Sequence, residues 1–170
     1  MTPGLRKLAL TVHVTASVGL LGAIAAFLAL SVAGLAGDET PTARAAYPAM
    51  ALIARLVVTP LALAALVSGL IQSLGTAWGL FRHYWVLIKL LMTLFATTIL
   101  LVKLDLIDQA AHLASETIPP SADLRAVGIQ LLVHAAGGLL LLLVPAVLSI
   151  YKPQGLTRYG ARRQRALSRR

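Results

Sequence analysis

The sequence predicts an all-α protein: an antiparallel four-helix transmembrane bundle with both termini in the cytoplasm. The 170-residue chain is 58% hydrophobic, with a mean hydropathy of +0.84 and 12% charged residues. Soluble domains carry about 25% charged residues. The apolar residues fall into four segments of about 20 residues or more, which is the length that crosses a bilayer. Basic residues gather on one side of these segments, as expected for cytoplasmic loops.

Each predicted span has its own limits. The four spans cover, approximately, residues 8–36, 55–74, 84–104 and 124–150. The first is long enough to tilt or to extend past the bilayer. A cleaved signal peptide is the alternative, since Arg6 and Lys7 precede the segment, but its apolar run is about twice the usual hydrophobic region. In the second span, Pro60 lies one turn inside and should kink or widen the helix.

The third predicted helix is longer than its span. The spacing of Leu104, Ile107 and Ala111 predicts that it continues beyond the bilayer. No polar stretch is long enough to enclose a core of its own. The sequence therefore predicts one membrane domain, residues 1–151, followed by a basic cytoplasmic tail, residues 152–170.

Charge gives the orientation of the spans. Basic residues on the side of the termini are Arg6, Lys7, Arg82 and, in the tail, Lys152, Arg158, Arg162, Arg163, Arg165, Arg169 and Arg170. All six acids lie in segments on the other side: Asp38, Glu39, Asp105, Asp108, Glu116 and Asp123. A basic tail beside a span binds anionic lipid. The net charge of +9 thus indicates membrane lipid as a partner and not nucleic acid.

Ionisable residues within three spans are the candidate cofactor-binding residues: His13, Lys89 and His134. Such side chains are costly in a bilayer and mark functional sites. Helical periodicity adds a polar stripe to each span, and together these predict one polar seam inside the bundle. The seam residues are Ser17, Arg55, Thr59, Gln72, Thr93 and Gln130, with Lys103 on the stripe of the third span. Gly137 and Gly138, beside His134, either pack helices closely or make room for a flat ligand such as a porphyrin.

These residues also have alternative roles. Lys89 can extend its amine to the headgroups, and Arg55, near the outer end of its span, can also meet headgroups. His13 and Lys89 lie at similar depth and can face each other. His13 and His134 are offset by about 16 Å along the bundle axis, at 1.5 Å per residue, which is too far for two axial ligands of one heme.

Most enzyme signatures are missing. The chain has no cysteine, which excludes disulfides, thiol catalysis and zinc–thiolate sites. It has no phosphate-binding glycine loop and no Gly-x-Ser-x-Gly elbow. No metal site is predicted, because histidines at i, i+4 spacing are absent. The lack of an acid within any span also argues against an ion-coupled transporter.

Three stretches resemble an uncharacterised family of small bacterial integral membrane proteins, defined only as a domain of unknown function. They are VHVTASVGLLGAIAAFLAL (Val12–Leu30), SLGTAWGLFRHYWVLIKLLMTL (Ser73–Leu94) and LVHAAGGLLLLLVPAVLSIYKPQGLTRYG (Leu132–Gly160). The resemblance covers somewhat under half of the chain and implies a multi-pass protein of the bacterial cytoplasmic (inner) membrane.

Two shorter motifs are similar to a broader set of four-span proteins. His13 followed by Gly19 and Gly22 is similar to the first helix of copper-resistance D-type membrane proteins and of the heme-dependent bacterial protoporphyrinogen oxidase. Trp85-x-x-x-Lys89 is similar to a later helix of that oxidase, where a lysine works with the first-helix histidine. These similarities imply a heme b or metal-linked redox role with His13 and Lys89 as the transferred positions.

Two functions therefore stay open. The first is a structural or assembly role in the membrane, in which hydrogen bonds between the polar stripes hold the helices together. The alternative is a membrane redox protein that binds heme b or a metal, which as an enzyme would be a heme-linked oxidoreductase. A small transporter or channel is a weaker third reading. The small-residue faces are compatible with a homodimer or another membrane-protein partner.

Overall fold

The structure, a computed structural model, describes residues 2–37, 40–75, 83–116, 121–151 and 157. Within these residues it is helical and has no β-strand. The helices are α1 (Pro3–Ala36), α2 (Pro41–Ile53), a π-helical turn (Ala54–Val58), α3 (Thr59–Gly75), α4 (Tyr84–Ser115) and α5 (Ser121–Tyr151). Because α2, the π turn and α3 are continuous, the described chain forms four long helices, each long and apolar enough to cross a membrane.

The long helices pack as a closed ring. The α1 helix contacts the α2–α3 helix on one side and α5 on the other, and α4 contacts the same two helices from across the bundle. Among the described residues, the backbones of α1 and α4 do not approach each other closely, nor do those of α5 and the α2–α3 helix. The predicted antiparallel four-helix bundle is confirmed. Its terminal end carries the start of α1 and the end of α5, and the opposite end carries the start of α2 and the end of α4.

The outer surface of the bundle is apolar. Leu56, Leu140 and Ile150 are 71%, 66% and 76% exposed, and many other large aliphatic side chains point outward in the same way. Soluble monomers rarely expose continuous apolar surface of this extent. With four helices of spanning length, this surface belongs in lipid, and the protein is a multi-pass membrane protein.

Two helices begin with the same capping arrangement. The Oγ1 of Thr2 accepts a hydrogen bond from the Leu5 amide at 3.4 Å, and Thr40 does the same for Ala43 at 3.3 Å. A proline follows each threonine at the first helical position, where its missing N–H has no partner to lose. The second long helix therefore begins at residue 41, well before the predicted span at residue 55.

The second long helix widens where the sequence predicts it. Pro60 has no N–H, so the α-helical hydrogen bond to the carbonyl four residues earlier cannot form. The backbone N–H of Thr59 instead bonds to the Ala54 carbonyl five residues back, which is the π-helical pattern. The Oγ1 of Thr59 donates to the same carbonyl at 2.8 Å. The predicted distortion at Pro60 is confirmed as a π-helical turn.

The third helix extends as predicted. Helix α4 runs on to Ser115, and its extension buries Ile107, Ala110 and Ala114 against the bundle. Arg44 secures the end of this helix: its Nε donates to the Ala114 carbonyl at 3.1 Å, and its Nη2 donates to a second carbonyl, that of residue 116. The predicted basic tail, residues 152–170, lies outside the described residues except for residue 157.

Tyr47 lies at the centre of the main core, near the opposite end. It is 2% exposed and packs with Phe27, Met50, Ala110, Leu131 and other apolar residues from all four long helices. Two glycines leave room for its ring. A methyl group at Gly34 would lie 3.0 Å from Cζ of Tyr47, and one at Gly128 would lie 2.7 Å from the hydroxyl oxygen.

Candidate functional site

His13 lies in a socket formed by α3. Its Nδ1 is 3.0 Å from the carbonyl oxygen of Ala65 and 3.1 Å from Oγ of Ser68. Gly69 makes room for the ring, since a methyl group there would lie 3.0 Å from Cε1 of the imidazole. The ring is half-buried. His13 therefore joins α1 to α3 inside the bundle.

A second polar contact joins the same two helices. The Nε2 of Gln72 donates to the carbonyl oxygen of Ala9 at 3.0 Å. Gln72 lies one turn beyond Ser68, and Ala9 lies one turn before His13, so the two contacts follow each other along the interface. Ser17, one turn further along α1, is half-buried. The α1–α3 interface thus contains His13 and the predicted seam residue Gln72.

Lys89 connects α4 with α5. Its Nζ donates to Oγ of Ser149 at 2.6 Å and lies 5.2 Å from the centroid of the Trp85 ring, within the range of a cation–π interaction. The Oγ1 of Thr93 bonds within its own helix, to the Lys89 carbonyl at 2.9 Å. His13, in the first part of α1, and Lys89, in the first part of α4, both lie in the half of the bundle nearer its terminal end.

Arg55 forms an ion pair with Asp108. Its Nε donates to Oδ1 of Asp108 at 3.1 Å, and its Nη2 donates to Oδ2. The two side chains are 52% and 40% exposed. The pair links the second long helix to the extension of α4. Another predicted seam residue, Thr59, donates its hydroxyl to a carbonyl of its own helix, as described above.

His134 lies apart from His13. It is exposed, and its Nδ1 is 2.7 Å from the carbonyl oxygen of Gln130 in the same helix. Gln130 is also exposed. The predicted polar residues therefore occupy several interfaces and surfaces, and His134 does not share the socket of His13.

A cavity of about 350 Å³ lies between the four long helices, and His134 is part of its wall. On α4 the wall includes Ala96, Leu100, Lys103 and Ile107, and on α5 it includes Leu131, His134, Ala135, Gly138 and Leu142. Apart from His134, these residues recur at intervals of four, three and four on each helix, so each set forms one stripe. The α1 and α2–α3 helices close the far side with Leu20, Phe27, Val58 and Ala62, among others.

Small residues explain why this space is not filled. A methyl group at Gly137 or at Gly138 would meet no atom within 4 Å. At the wall facing them, α4 carries Ala96 and Thr97. Phe95 and Val133, which also line the space, are 58% and 62% exposed, so the cavity opens sideways between α4 and α5, where the bilayer would lie.

Comparisons with known proteins add no information about the site. No family model, curated protein or solved structure matches this chain. The family resemblances stay predictions. In the part of the chain that the structure describes, no three His, Cys, Asp or Glu side chains come together as a metal site would require.

The structure gives two residues roles that the sequence alone did not predict. Asp108 is the partner of Arg55, and the predicted extension of α4 was the signal that could have suggested it. Lys103, predicted only as part of a polar stripe, lines the cavity. The sequence held a signal for the position of Lys103, because it shares a helix face with apolar residues: Ala96, Ile99, Leu100 and Ile107.

Proposed function

We propose that this membrane protein binds an apolar ligand of the bilayer in the cavity between α4 and α5. The cavity itself is the observation that supports the proposal. Protein interiors are packed like organic crystals and contain few voids larger than one water. A space of about 350 Å³ is more than ten times the liquid volume of a water, about 30 Å³. It falls within the size range of ligand sites, about 300–1,000 Å³.

The cavity opens toward the bilayer, so an apolar molecule can enter it from the lipid side. Water would not fill it readily, because among its wall residues only Thr97, Lys103 and His134 have polar side chains.

A structural or assembly role remains the competing function. Its support is that His13, Gln72, Lys89 and Arg55 each contact a neighbouring helix. These contacts hold the ring of helices together whether or not a ligand binds. In this reading ordinary lipid chains fill the cavity without selection.

Heme b binding is a second candidate, supported by one observation at His13. A ligating histidine usually donates its other ring N–H to a carbonyl or carboxylate, and Nδ1 of His13 lies 3.0 Å from the Ala65 carbonyl. This arrangement leaves Nε2 for a ligand, and bound heme would supply one-electron transfer. The fit is incomplete, because neither His13 nor Lys89 is among the residues that line the cavity.

The ligand proposal is tested by filling the cavity. Gly138→Leu places a large side chain in the open space, and Gly22→Leu is its control, because Gly22 is exposed on α1 with nothing within 4 Å of its missing methyl. Native mass spectrometry from lipid nanodiscs should show a bound apolar molecule in the wild type and in Gly22→Leu but not in Gly138→Leu. A folded Gly138→Leu variant that retains the same molecule in the same amount would overturn the proposal.

The heme candidate has a separate test. An absorption spectrum of purified protein, oxidised and then reduced with dithionite, should show a Soret band that disappears in His13→Ala. A featureless spectrum from folded protein, expressed with heme supplied, would refute heme binding and leave the apolar-ligand proposal standing.

We also infer that the protein lies in the cytoplasmic membrane with both termini in the cytoplasm. Support comes from charge at the two ends of the bundle. The terminal end carries Arg6 and Lys7, and by sequence Arg82 and the seven basic residues of the tail belong to the same side, whereas the opposite end carries four, Arg44, Arg55, Lys103 and Arg125. Orientation follows this excess of Lys and Arg. A reporter fused to either terminus should be active only if it works in the cytoplasm, and the reverse result would contradict this orientation.

A further inference from the structure

The cavity wall carries one residue with a fixed charge, Lys103. It is half-buried, and in the described part of the chain its ammonium forms no hydrogen bond or ion pair. The acids nearest in sequence do not neutralise it. Asp105 is two residues along α4, which is about 200° around the helix, and Asp108 is paired with Arg55.

Lys103 also lies below the end of its helix. It precedes Ser115 by twelve residues, or about 18 Å at 1.5 Å per residue. His134 follows the start of α5 by thirteen residues, or about 20 Å, so the two side chains lie at a similar level of the cavity wall. Helix α4 has 32 residues and is about 48 Å long, whereas the hydrocarbon core is about 30 Å thick. With the third span at residues 84–104 and the rest of α4 beyond the bilayer, Lys103 lies near the hydrocarbon face at the opposite end of the bundle.

We infer that the cavity binds a lipid with an anionic headgroup, whose acidic group pairs with Lys103 while an acyl chain fills the apolar space. This inference rests on the proposed function and specifies its ligand. One uncompensated positive charge, in a wall whose other polar side chains are Thr97 and His134, selects a ligand with one negative charge on an apolar body.

The position of the wall residues gives the lipid its orientation. From Lys103, the cavity continues past Leu100 and Ala96 on α4 and past Gly138 and Leu142 on α5. These residues lie toward the terminal end, since α4 starts there and α5 ends there. The acyl chain therefore points toward the terminal end, with the acidic group level with Lys103 and His134.

The test compares two lipids that differ in headgroup charge. Full-length protein is titrated with dioleoylphosphatidylglycerol and, separately, with dioleoylphosphatidylcholine, and binding is followed by native mass spectrometry. We expect the wild type to prefer the anionic lipid. Lys103→Gln should weaken its binding by about fivefold, the effect of one basic residue near anionic lipid, and leave the zwitterionic lipid unchanged. Lys103→Arg should keep the preference.

Arg125→Gln is the matched control. Arg125 is an exposed cation on α5 that does not line the cavity, so its loss should leave the preference intact. Circular dichroism and the thermal midpoint show that each variant is folded. An equal loss of preference in Arg125→Gln and Lys103→Gln would assign the effect to general surface charge and overturn the inference.

The cavity-filling variant separates the two proposals. If Gly138→Leu abolishes binding of both lipids and the wild type does not prefer the anionic one, the cavity is a ligand site and the headgroup inference is wrong. If Gly138→Leu leaves the binding of both lipids unchanged, the proposed function itself is wrong. Loss of an anionic preference in both Gly138→Leu and Lys103→Gln supports both proposals.

Discussion

Adding a methyl group at two glycines of α5 should have different effects on stability. In Gly128→Ala the new Cβ would lie 2.7 Å from the hydroxyl oxygen of Tyr47 and 2.9 Å from Cδ2 of Leu35. Tyr47 is 2% exposed and its ring is also in contact with Gly34, so it cannot move away freely. In Gly137→Ala the same methyl group meets nothing within 4 Å.

The magnitude follows from two terms. Alanine is favoured over glycine within a helix by about 0.8–1.0 kcal/mol, and this term is similar at both positions, so it cancels in the comparison. Overpacking of a filled core costs about 1–3 kcal/mol and applies to Gly128→Ala alone. We expect Gly137→Ala to raise the free energy of unfolding by up to about 1 kcal/mol and Gly128→Ala to fall about 1–3 kcal/mol below it.

Unfolding by dodecyl sulfate, followed by circular dichroism in mild detergent, measures both free energies. The Tyr47→Phe background identifies the cause, because it removes the oxygen at 2.7 Å. The hydroxyl has no hydrogen-bond partner among the described residues, so its removal alone should cost little. In the Tyr47→Phe background, the difference in unfolding free energy between Gly128→Ala and Gly137→Ala should become smaller. Equal stabilities for Gly128→Ala and Gly137→Ala in the wild-type background would refute the close packing around Tyr47.

Three further perturbations test the contacts between helices. Gln72→Ala should lower the unfolding free energy by about 0.6 kcal/mol, the average for such a bond in a membrane, whereas His134→Ala should change it little; similar losses would contradict the assignment of His134 to its own helix. Arg55→Ala and Asp108→Ala should lower the thermal midpoint equally, and the double variant should lower it no further; additive losses would rule out the ion pair. Arg44→Gln should speed amide hydrogen exchange in the last turn of α4, and exchange at the wild-type rate would exclude its capping role.

Much of the fold follows directly from the order of apolar and polar residues. Four runs of spanning length are enough to predict four helices, because only helices and closed barrels satisfy the backbone in lipid. Pro60 locates the distortion of the second long helix, since the loss of one N–H is a local effect. The start of that helix at Pro41 is harder to predict, because the alanine-rich stretch before Arg55 is less apolar than a usual span.

The site is less predictable, for a geometric reason. Periodicity places residues on one face of a helix, but it does not give the rotation of that helix about its own axis within the bundle. His13 faces α3, whereas His134, with a similar pattern around it, is exposed. The cavity depends on the separation of four helices at once. Gly137 and Gly138 could equally have served close packing, and only the assembled bundle shows the space beside them.

The π-helical turn makes the second long helix tolerant of one kind of length change. The buried residues Met50, Ala54, Val58 and Ala62 are spaced by four residues each, and in a regular α-helix this spacing would drift by about 120° from first to last. Deleting one residue between Ala54 and Val58 would restore alternating steps of four and three. Such a deletion should leave both flanking helices in register with their neighbours, whereas a deletion elsewhere in the helix would rotate everything beyond it by about 100°. Compared with a regular α-helix, the second long helix therefore contains one extra residue, which its π-helical turn accommodates.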